Sequence, residues 1–395
     1  MKKLDIIVIG AGLYVCGKGT LGYGTILPAI FEWKRLNENT GDIHCVSTSA
    51  ESSKKLLDKA SELAVKTGVK LNIKSYPSNG VKNYTEYKEV LNNIKKPACA
   101  IIAVPDHLHY QIAKDCLQAG IHTLIVKPLT PTYAEGLDLV NLAKKNELYA
   151  VVEFHKRWDK SNILLRDKFK SGELGAPLNC WVEYSQRKSV PLSSFKDWAS
   201  QTSILQYLGV HYIDVIRFVT AALPKRVMAI GQKSEIIQHG IDTYDAIQCI
   251  VEWEMPNGVQ FTETILTSWI DPNNSTAMSD QKIKFIGTKG RYEADQKERG
   301  IRLNTDKLGV EHINPDFCMP YGESDGSIKW RGYGIDSITT FISDVVDINN
   351  NMSAISDLEN KRPSFKESLV STMVTEAAHL SLNNGSKWET IEILQ

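Results

Sequence analysis

Six glycines fall within fifteen positions near the N-terminus, directly after LDIIVIG (4–10), an apolar run of strand length. They are Gly10, Gly12, Gly17, Gly19, Gly22 and Gly24. An even spread of the 26 glycines in this 395-residue chain would place about one of them there. An apolar strand that ends in a glycine-rich turn is typical of folds that bind phosphate groups at the carboxyl end of a parallel sheet.

The first 150 residues alternate between apolar runs and amphipathic helical patterns, which indicates a parallel sheet covered on both faces. Strands are predicted at 4–10, 42–48, 70–76, 98–105, 122–128 and 149–155. Helices are predicted at 25–38, 49–67, 84–95, 107–119 and 131–146. Thr48 and Glu51 fit a capping box for the second helix, and Pro131 suits the first turn of the fifth.

After residue 155 the strands follow one another without intervening helices, which favours a largely antiparallel sheet. These strands are predicted at 178–186, 225–231, 243–254, 259–269, 281–287 and 387–394, with helices at 158–171, 203–220, 335–349 and 364–383. We therefore predict a Rossmann-type parallel-sheet domain over 1–150 and an α+β domain over 151–395. The second domain has a large, mainly antiparallel, open-faced sheet, and its C-terminal helices are free to pack back on the first domain.

Composition excludes several classes of protein. Lysine plus arginine and aspartate plus glutamate both number 46, so nucleic acid and anionic membrane surfaces are not expected as partners. No apolar run reaches the ~20 residues of a membrane span, and Asp5 interrupts the only stretch that resembles a signal peptide. The seven scattered cysteines form no CxxC pair, so we expect free thiols, a cytoplasmic location and no metal.

The glycine cluster allows two interpretations. Gly10-Ala-Gly12 supplies the first two glycines of a dinucleotide fingerprint, but Val15 stands where the third belongs. The stretch from Gly12 to Lys18 also matches the phosphate-loop pattern GxxxxGK, although Gly19 stands where Ser or Thr would hold magnesium. These residues alone leave both interpretations open, together with a glycine-rich loop that binds nothing.

The end of the second strand bears on cofactor choice. Folds that prefer NAD usually place an acid there for the ribose 2′-hydroxyl, but this strand ends in Ser47, Thr48 and Ser49. Small hydroxyl side chains leave room for a 2′-phosphate, which Lys54 or Lys55 could reach. If the loop binds a dinucleotide, this strand end favours NAD(P) with a lean toward NADP or dual use, although the hydroxyl residues could also serve only to cap the helix.

Three later segments carry a family resemblance. They are AIIAVPDHLHYQIAKDCLQAG (100–120), LIVKPLT (124–130) and YLGVHYIDVIRF (207–218). With GAG after the first strand, they resemble the Gfo/Idh/MocA family of NAD(P)-dependent sugar and cyclitol dehydrogenases. VVEFHKRWD (151–159) and EAAHLSLNNGSKWETI (376–391) also look like family segments. The resemblance covers nearly the whole chain and rests on the order of short motifs.

The resemblance implies an enzyme that transfers hydride between nicotinamide and a hydroxyl-bearing carbon. The substrate would be a sugar, a cyclitol or a sugar derivative, and the derivative could be nucleotide-linked. Lys127 matches the family lysine, whose charge would stabilise the developing alkoxide. His211 matches the family histidine and would act as acid and base, with Asp214 one helical turn on to orient it. His109 stands where the family has a histidine near the nicotinamide ribose.

Three departures from the family pattern accompany these matches. Val126 stands where the family has a glutamate before the lysine. Tyr207 stands where many members have an aspartate, so it either assists proton transfer or hydrogen-bonds a substrate hydroxyl, or else packs against the sheet. The glycine loop is longer than in a typical member, from Tyr14 to Gly22, and we predict that this insertion folds over the cofactor diphosphate or reaches toward the substrate.

The complete predicted site has two parts. The predicted cofactor-binding residues are Gly10, Gly12, Leu13, Tyr14, Ser47, Thr48, Val104, Pro105, His109, Lys127, Pro128, Glu153 and His155. The predicted substrate-binding residues are Lys127, His155, Arg157, Trp158, Tyr207, His211 and Asp214, with Lys127, His211 and Tyr207 as the catalytic set. Arg157 and Trp158 would bind a polyol by forked hydrogen bonds and stacking, unless they only pack between domains.

Two other functions stay open at this point. Some relatives cleave glycosides with a bound NAD that is oxidised and reduced transiently, and a non-catalytic dinucleotide-binding protein would keep the fold without turnover. The predicted partners are a small polyol or sugar substrate and further copies of the chain. A homodimer or homotetramer would form through the exposed sheet face of the second domain, because an uncovered apolar sheet face would otherwise meet water.

Overall fold

The computed structural model describes residues 3–392, which form two compact units. The first unit comprises residues up to 130 together with 134–158 and 316–368. The second comprises 131–133, 159–315 and the residues from 369 onward. The sequence placed the boundary at residue 150 and left the C-terminal helices free to pack back on the first domain. In the structure the first unit extends to Trp158 and includes residues 316–368.

The first unit is built on a six-stranded parallel sheet, as predicted. Its strands are β1 (Leu4–Ile9), β2 (Thr40–Val46), β3 (Ile73–Tyr76), β4 (Ala98–Ile102), β5 (His122–Val126) and β6 (Ala150–Glu153). They lie in the order β3-β2-β1-β4-β5-β6, which is the order of dinucleotide-binding folds. All six residues of β1 are buried, because helices cover a parallel sheet on both faces.

Six helices connect or follow these strands. They are α1 (Leu13–Cys16), α2 (Ile26–Leu36), α3 (Ala50–Thr67), α4 (Glu86–Asn93), α5 (His109–Gln118) and α6 (Tyr133–Lys145). Two predicted starts were wrong. Ser49 rather than Thr48 caps α3, where its side chain accepts a hydrogen bond from the Ser52 amide. Because α6 begins at Tyr133, Pro131 precedes the helix instead of occupying its first turn.

The second unit contains a seven-stranded sheet, confirmed as mainly antiparallel. The strands of this unit are β7 (Pro177–Arg187), β8 (Leu223–Gln232), β9 (Ala246–Glu254), β10 (Gln260–Asp271), β11 (Ser279–Gly287), β12 (Arg291–Asp295), β13 (Arg302–Thr305), β14 (Gly309–His312) and β17 (Glu389–Thr390). The sheet runs β12-β11-β7-β10-β9-β8-β17, and only the β7–β10 pair is parallel. Burial alternates along β7, where Cys180 and Val182 are buried and Trp181 is exposed. One face therefore packs on the core and the other is open.

The stretch 159–315 of the second unit contains the helices α7 (Lys160–Lys170) and α8 (Val210–Thr220). The helix predicted over 203–220 is in fact a π-helical turn, Leu205–Gly209, followed by α8. The strand predicted at 387–394 is only Glu389–Thr390 among the described residues, and positions 393–394 lie outside them.

The late segment of the first unit has strands and helices that the sequence only partly predicted. They are β15 (Met319–Gly322), β16 (Ile328–Arg331), α9 (Tyr333–Asn349) and α10 (Ile355–Glu359). Helix α11 (Phe365–Asn383) follows. The two hairpins, β13–β14 and β15–β16, were not predicted. Within residues 3–392, every helix is too short or too polar to cross a lipid bilayer.

Candidate functional site

The glycine turn after β1 has one glycine that the fold needs and one that leaves backbone accessible. Gly10 has φ 121°, and a Cβ placed there would lie 2.1 Å from the carbonyl oxygen of Ala103. At Gly12 a Cβ would meet no protein atom within 4 Å. Gly10 therefore permits the close approach of β1 to β4, and Gly12 fits a position where backbone approaches a ligand phosphate.

The phosphate-loop interpretation of the same glycines was wrong. Gly17 adopts a left-handed conformation that ends α1, and the exposed Lys18 follows in a turn. The next helix begins only at Ile26. In a phosphate loop the lysine opens a helix and reaches back to the phosphates, so this geometry does not support nucleotide hydrolysis.

The inserted segment is anchored on both sides. Its two ends meet where the Thr25 amide donates to the Tyr14 carbonyl over 2.7 Å. The Tyr23 hydroxyl donates to Glu62 on α3 over 2.9 Å, and the Lys59 ammonium lies 3.4 Å from the carbonyls of Thr20 and Leu21. The insertion is therefore a closed loop packed on α3, and its predicted contact with the cofactor diphosphate stays a prediction.

At the end of β2, Ser47 and Thr48 differ in accessibility. Ser47 is buried, and its hydroxyl lies 2.9 Å from both the Ser49 carbonyl and the Ser53 hydroxyl. Thr48 is exposed. Ser47 therefore supports the turn through contacts within the protein, and Thr48 is the member of the predicted pair that a ligand could reach. The Lys55 ammonium is already paired with Glu51 at 2.6 Å.

Lys127 is the most unusual charged group of the first unit. It follows β5 directly, and it is 9% exposed. Burial lowers the pKa of Lys127 to about 8, against the opposing effect of the negative charges of Asp106 and Glu153. A buried ammonium that titrates near neutral pH suits a group that stabilises developing negative charge on a substrate oxygen.

His109 holds the segment around Lys127 in place. Its ring is 1% exposed, with Nδ1 2.7 Å from the Pro128 carbonyl and Nε2 3.0 Å from the Val104 carbonyl. Burial lowers the pKa of His109. Because both ring nitrogens face backbone carbonyls, His109 ties the segment after β4 to the segment after β5. This geometry gives His109 a positioning role, and its predicted contact with the nicotinamide ribose stays a prediction.

A hydrogen-bonded cluster surrounds the buried Glu153 at the end of β6. The Tyr14 hydroxyl donates to its Oε1 over 2.9 Å, and the Ser337 hydroxyl donates to the same oxygen over 2.7 Å. The Nδ1 of His155 lies 3.1 Å from Oε2. The sequence placed Tyr14, Glu153 and His155 among the site residues. It missed Ser337, which comes from α9 and gave no signal in the sequence.

Trp158 and Arg157 follow this cluster in the chain. The indole nitrogen of Trp158 donates to the hydroxyl of Thr340 on α9 over 3.1 Å. Arg157 is buried, 8% exposed. This contact shows that Trp158 packs within the first unit, and its stacking on a polyol stays a prediction.

The second unit carries the other three predicted residues close together. His211 and Asp214 are both buried on α8, one helical turn apart. The His211 ring lies 6.4 Å from the Tyr184 ring of β7. Tyr207, on the preceding π-helical turn, belongs to an aromatic cluster with its ring 5.0 Å from Phe195. The packing role considered for Tyr207 is therefore present in the structure.

The strand order of the first unit and its glycine turn define a dinucleotide-binding fold followed by an α+β domain. Residues 19–154 match the model of an oxidoreductase family with an NAD-binding Rossmann fold, GFO_IDH_MocA. Residues 163–293 match the GFO/IDH/MocA C-terminal domain. The chain belongs to the Gfo/Idh/MocA family, as its motifs predicted. The matched region begins at residue 19, so β1 and its glycine turn lie outside it.

Among similar proteins is scyllo-inositol 2-dehydrogenase (NADP(+)) IolW of Bacillus subtilis, 28% identical over 39% of this chain and 44% of its own length. Levoglucosan dehydrogenase of Pseudarthrobacter phenanthrenivorans is 23% identical over 70% of this chain and 75% of its own length. An uncharacterized oxidoreductase of Schizosaccharomyces pombe is 32% identical over 34% of this chain. The alignment spans 36% of the yeast protein, so this chain matches about a third of that relative's length.

Solved structures share the fold over the whole chain. An inositol dehydrogenase homolog from Azotobacter vinelandii, complexed with NADH and myo-inositol, has a TM-score of 0.69 at 16% identity and covers 98% of both chains. A scyllo-inositol dehydrogenase from Lactobacillus casei, with bound NAD(H) and scyllo-inositol, has a TM-score of 0.67 at 15% identity and covers 99% of both chains. At this level of identity the likeness establishes the fold.

Proposed function

We propose that this protein is an NAD(P)-dependent oxidoreductase that acts on a CH–OH group of a cyclitol, sugar or sugar derivative. The observation that carries the proposal is the buried Lys127, whose pKa is lowered to about 8 at the carboxyl end of β5. The glycine turn after β1 belongs to the same sheet and opens at the same edge, where parallel α/β sheets bind their ligands.

The proposed chemistry divides among a few side chains. Oxidation of a CH–OH group would need a hydride acceptor, which a bound nicotinamide would supply, and a group that takes the hydroxyl proton. Lys127 holds the substrate oxygen and stabilises its negative charge as the proton leaves. The family resemblance implies that His211, with Asp214 one helical turn on, would take up a proton, and the support for this pair is their motif spacing and their burial on α8.

The backbone at Gly10–Gly12 would hold the cofactor diphosphate, since Gly12 has no Cβ and no protein atom fills that space. The bound cofactor supplies the hydride acceptor. Glu153 and His155 would line the nicotinamide side of the site, and Thr48 would face the adenosine ribose.

We propose NADP or dual cofactor use. The end of β2 offers the exposed Thr48 where an acid would select NAD, and the Lys18 ammonium lies 3.4 Å from the Ser52 hydroxyl at the start of α3. Thr48→Asp should reduce kcat/KM for NADP⁺ by about tenfold or more through charge repulsion, and should spare NAD⁺. Lys55→Ala is the matched control, because Lys55 already pairs with Glu51. Equal loss with both cofactors would contradict this assignment.

We propose a homodimer or homotetramer in the cytoplasm, formed through the open face of the second sheet. Trp181, Ile230, Ile250 and Leu266 lie on that face, and Trp181 is 50% exposed. An apolar patch across neighbouring strands favours association. Trp181→Glu should convert the assembly to a monomer in light-scattering measurements, and an unchanged mass would contradict the interface.

All seven cysteines are free, which suits the proposed location in a reducing compartment.

The function is tested with a panel of inositols, sugars and nucleotide sugars. Each is mixed with NAD⁺ or NADP⁺, and the absorbance of the reduced cofactor is followed. At least one polyol should give sustained cofactor reduction, and Lys127→Ala should lower the rate by about 100-fold or more. Glycoside cleavage without net cofactor reduction would support the glycosidase alternative. Cofactor binding without cofactor reduction by any compound of the panel would support a non-catalytic dinucleotide-binding protein.

A further inference from the structure

The inserted segment and the late α9 segment meet at one buried carboxylate. Glu153 is 1% exposed, and its Oε1 accepts hydrogen bonds from Tyr14 of the insertion and from Ser337 of α9. Its Oε2 faces Nδ1 of His155 at 3.1 Å. Tyr14 and Ser337, from two distant parts of the chain, and the nearby His155 thus give both oxygens of one acid a hydrogen-bonding partner.

Strand register places this acid beside Lys127. β5 and β6 are parallel neighbours, and Val126 pairs with Glu153. Lys127 leaves β5 one residue later, at the same edge of the sheet. The negative charge of Glu153 opposes the effect of burial on the pKa of Lys127, as does that of Asp106. The residue before the lysine is apolar, so the acid that faces Lys127 from this side comes from the neighbouring strand.

The surroundings of Glu153 keep it in this position. The His155 ring packs against Phe317 and Tyr333, with ring centroids 5.2 Å and 5.6 Å away. Burial and the neighbouring Glu153 raise the pKa of Tyr14 well above its ordinary value, so its hydroxyl stays a proton donor. His155 and Cys318 are further titratable groups near Tyr14, and burial raises the pKa of Cys318 as well.

The backbone of the insertion is shaped to hold Tyr14. Gly24 has φ 71°, and a Cβ there would lie 2.7 Å from the Tyr14 carbonyl oxygen. The Thr25 amide donates to that same carbonyl over 2.7 Å. Gly24, just after the insertion, thus lets the returning chain close on Tyr14.

We infer that Glu153 is the positioning residue that keeps Lys127 charged and aimed at the substrate oxygen, and that the inserted loop serves to lock Glu153 through Tyr14. The inference rests on the proposed role of Lys127. It assigns Glu153, Tyr14 and Ser337 to the support of the catalytic lysine. His109 supports the same lysine from the opposite side through Pro128.

The test measures the titration of Lys127 in the purified protein without substrate. Competitive labelling with an amine reagent across a pH series, read by mass spectrometry at Lys127, gives the midpoint directly. Glu153→Gln should lower that midpoint by about one pH unit or more, because a neighbouring negative charge is lost. Glu153→Asp keeps the charge and should stay close to the parent protein. Equal midpoints in the parent protein and Glu153→Gln would overturn the inference, as would equal shifts in the Gln and Asp variants.

Two further variants separate position from charge. Tyr14→Phe keeps the charge of Glu153 but removes one donor, so kcat should fall about three- to tenfold with little change in the labelling midpoint, since a hydrogen bond to a charged group is lost. Glu263→Gln changes another fully buried acid, in the second unit, and should leave the Lys127 midpoint unchanged. A Tyr14→Phe enzyme with unaltered kcat would overturn the role of the insertion.

The labelling experiment also distinguishes this inference from the proposed function. A midpoint that moves with Glu153→Gln supports the pairing even if no substrate is found in the panel. If Lys127→Ala leaves turnover intact while the midpoint still depends on Glu153, the proposed function fails and the pairing stands. Thermal melting of every variant identifies any loss of fold.

Discussion

Replacing Lys127 by methionine should stabilise the protein at neutral pH while it removes activity. The unfolded chain has a lysine pKa of about 10.4. Burial in the folded protein lowers the pKa of Lys127 to about 8. A difference of roughly 2.5 units corresponds to about 3 kcal/mol of stability. Methionine has similar length and no charge to bury, so it avoids that loss.

The direction of the pH dependence follows from the protonation state of Lys127 in the folded and the unfolded chain. Below pH 8, Lys127 is charged in both the folded and the unfolded chain, and the full penalty for burying the charge applies. Between about pH 8 and pH 10.4 the folded protein releases the proton first, so the parent protein gains stability as the pH rises. The Lys127→Met variant has no such group. The stability advantage of the variant should therefore be largest at pH 7 and should nearly vanish above pH 10.

The assay is urea denaturation of both proteins at pH 7, 8, 9 and 10, following the transition of the first unit. Other groups that titrate in this range are common to both proteins and cancel in the difference. Lys144→Met changes an exposed lysine on α6 and serves as the control, for which no pH-dependent gap is expected. A gap between Lys127→Met and the parent that stays constant from pH 7 to pH 10 would refute the assignment of a buried charge.

Three further predictions concern separate parts of the molecule. Gly10→Ala should unfold or strongly destabilise the protein, because the added Cβ would lie 2.1 Å from a backbone oxygen. Gly12→Ala should melt near the parent temperature but lose cofactor affinity. Calorimetry measures the first effect and cofactor titration the second. Turnover should fall as the pH rises through about 8, where Lys127 loses its charge, and a rate that keeps rising to pH 10 would argue against a charged lysine in the reaction. Burial raises the pKa of Glu263, so its contribution to folding stability is present at low pH and is lost as the pH rises. The melting temperature of Glu263→Gln should therefore lie a few degrees above that of the parent at pH 8, with a smaller difference at pH 5.

The sequence predicted the strands and helices whose pattern is local. The apolar strands of the first sheet and the alternating strands of the second were found because their side-chain periodicity reflects burial. Strand β12, only five residues long, and the hairpins β13–β14 and β15–β16 were missed, since short and largely exposed strands lack that periodicity. The sequence left its C-terminal helices free to pack back on the first domain, but the extent of the returning segment, residues 316–368, depends on packing that no local pattern encodes.

The candidate site divides in the same way. Lys127, His211 and Asp214 could be proposed from the sequence because short motifs mark them. The contacts of Glu153 could not be predicted, because Tyr14 is 139 residues away in sequence and Ser337 is 184 residues away. His109 was recognised as a family position, but its burial between two carbonyls was visible only in the structure. Sequence patterns therefore proposed which residues form the site, and the structure supplied the contacts that those residues make.

The most direct test of the central claim compares the parent enzyme with Lys127→Ala and Lys144→Ala on a polyol that the panel identifies. Formation of reduced cofactor is measured at saturating substrate, and cofactor affinity is measured separately by titration. We predict that Lys127→Ala lowers kcat by about 100-fold or more while cofactor affinity changes only a few-fold, because the lysine stabilises charge that develops during hydride transfer. Lys144→Ala should match the parent. A Lys127→Ala enzyme that turns over within a few-fold of the parent would contradict the account.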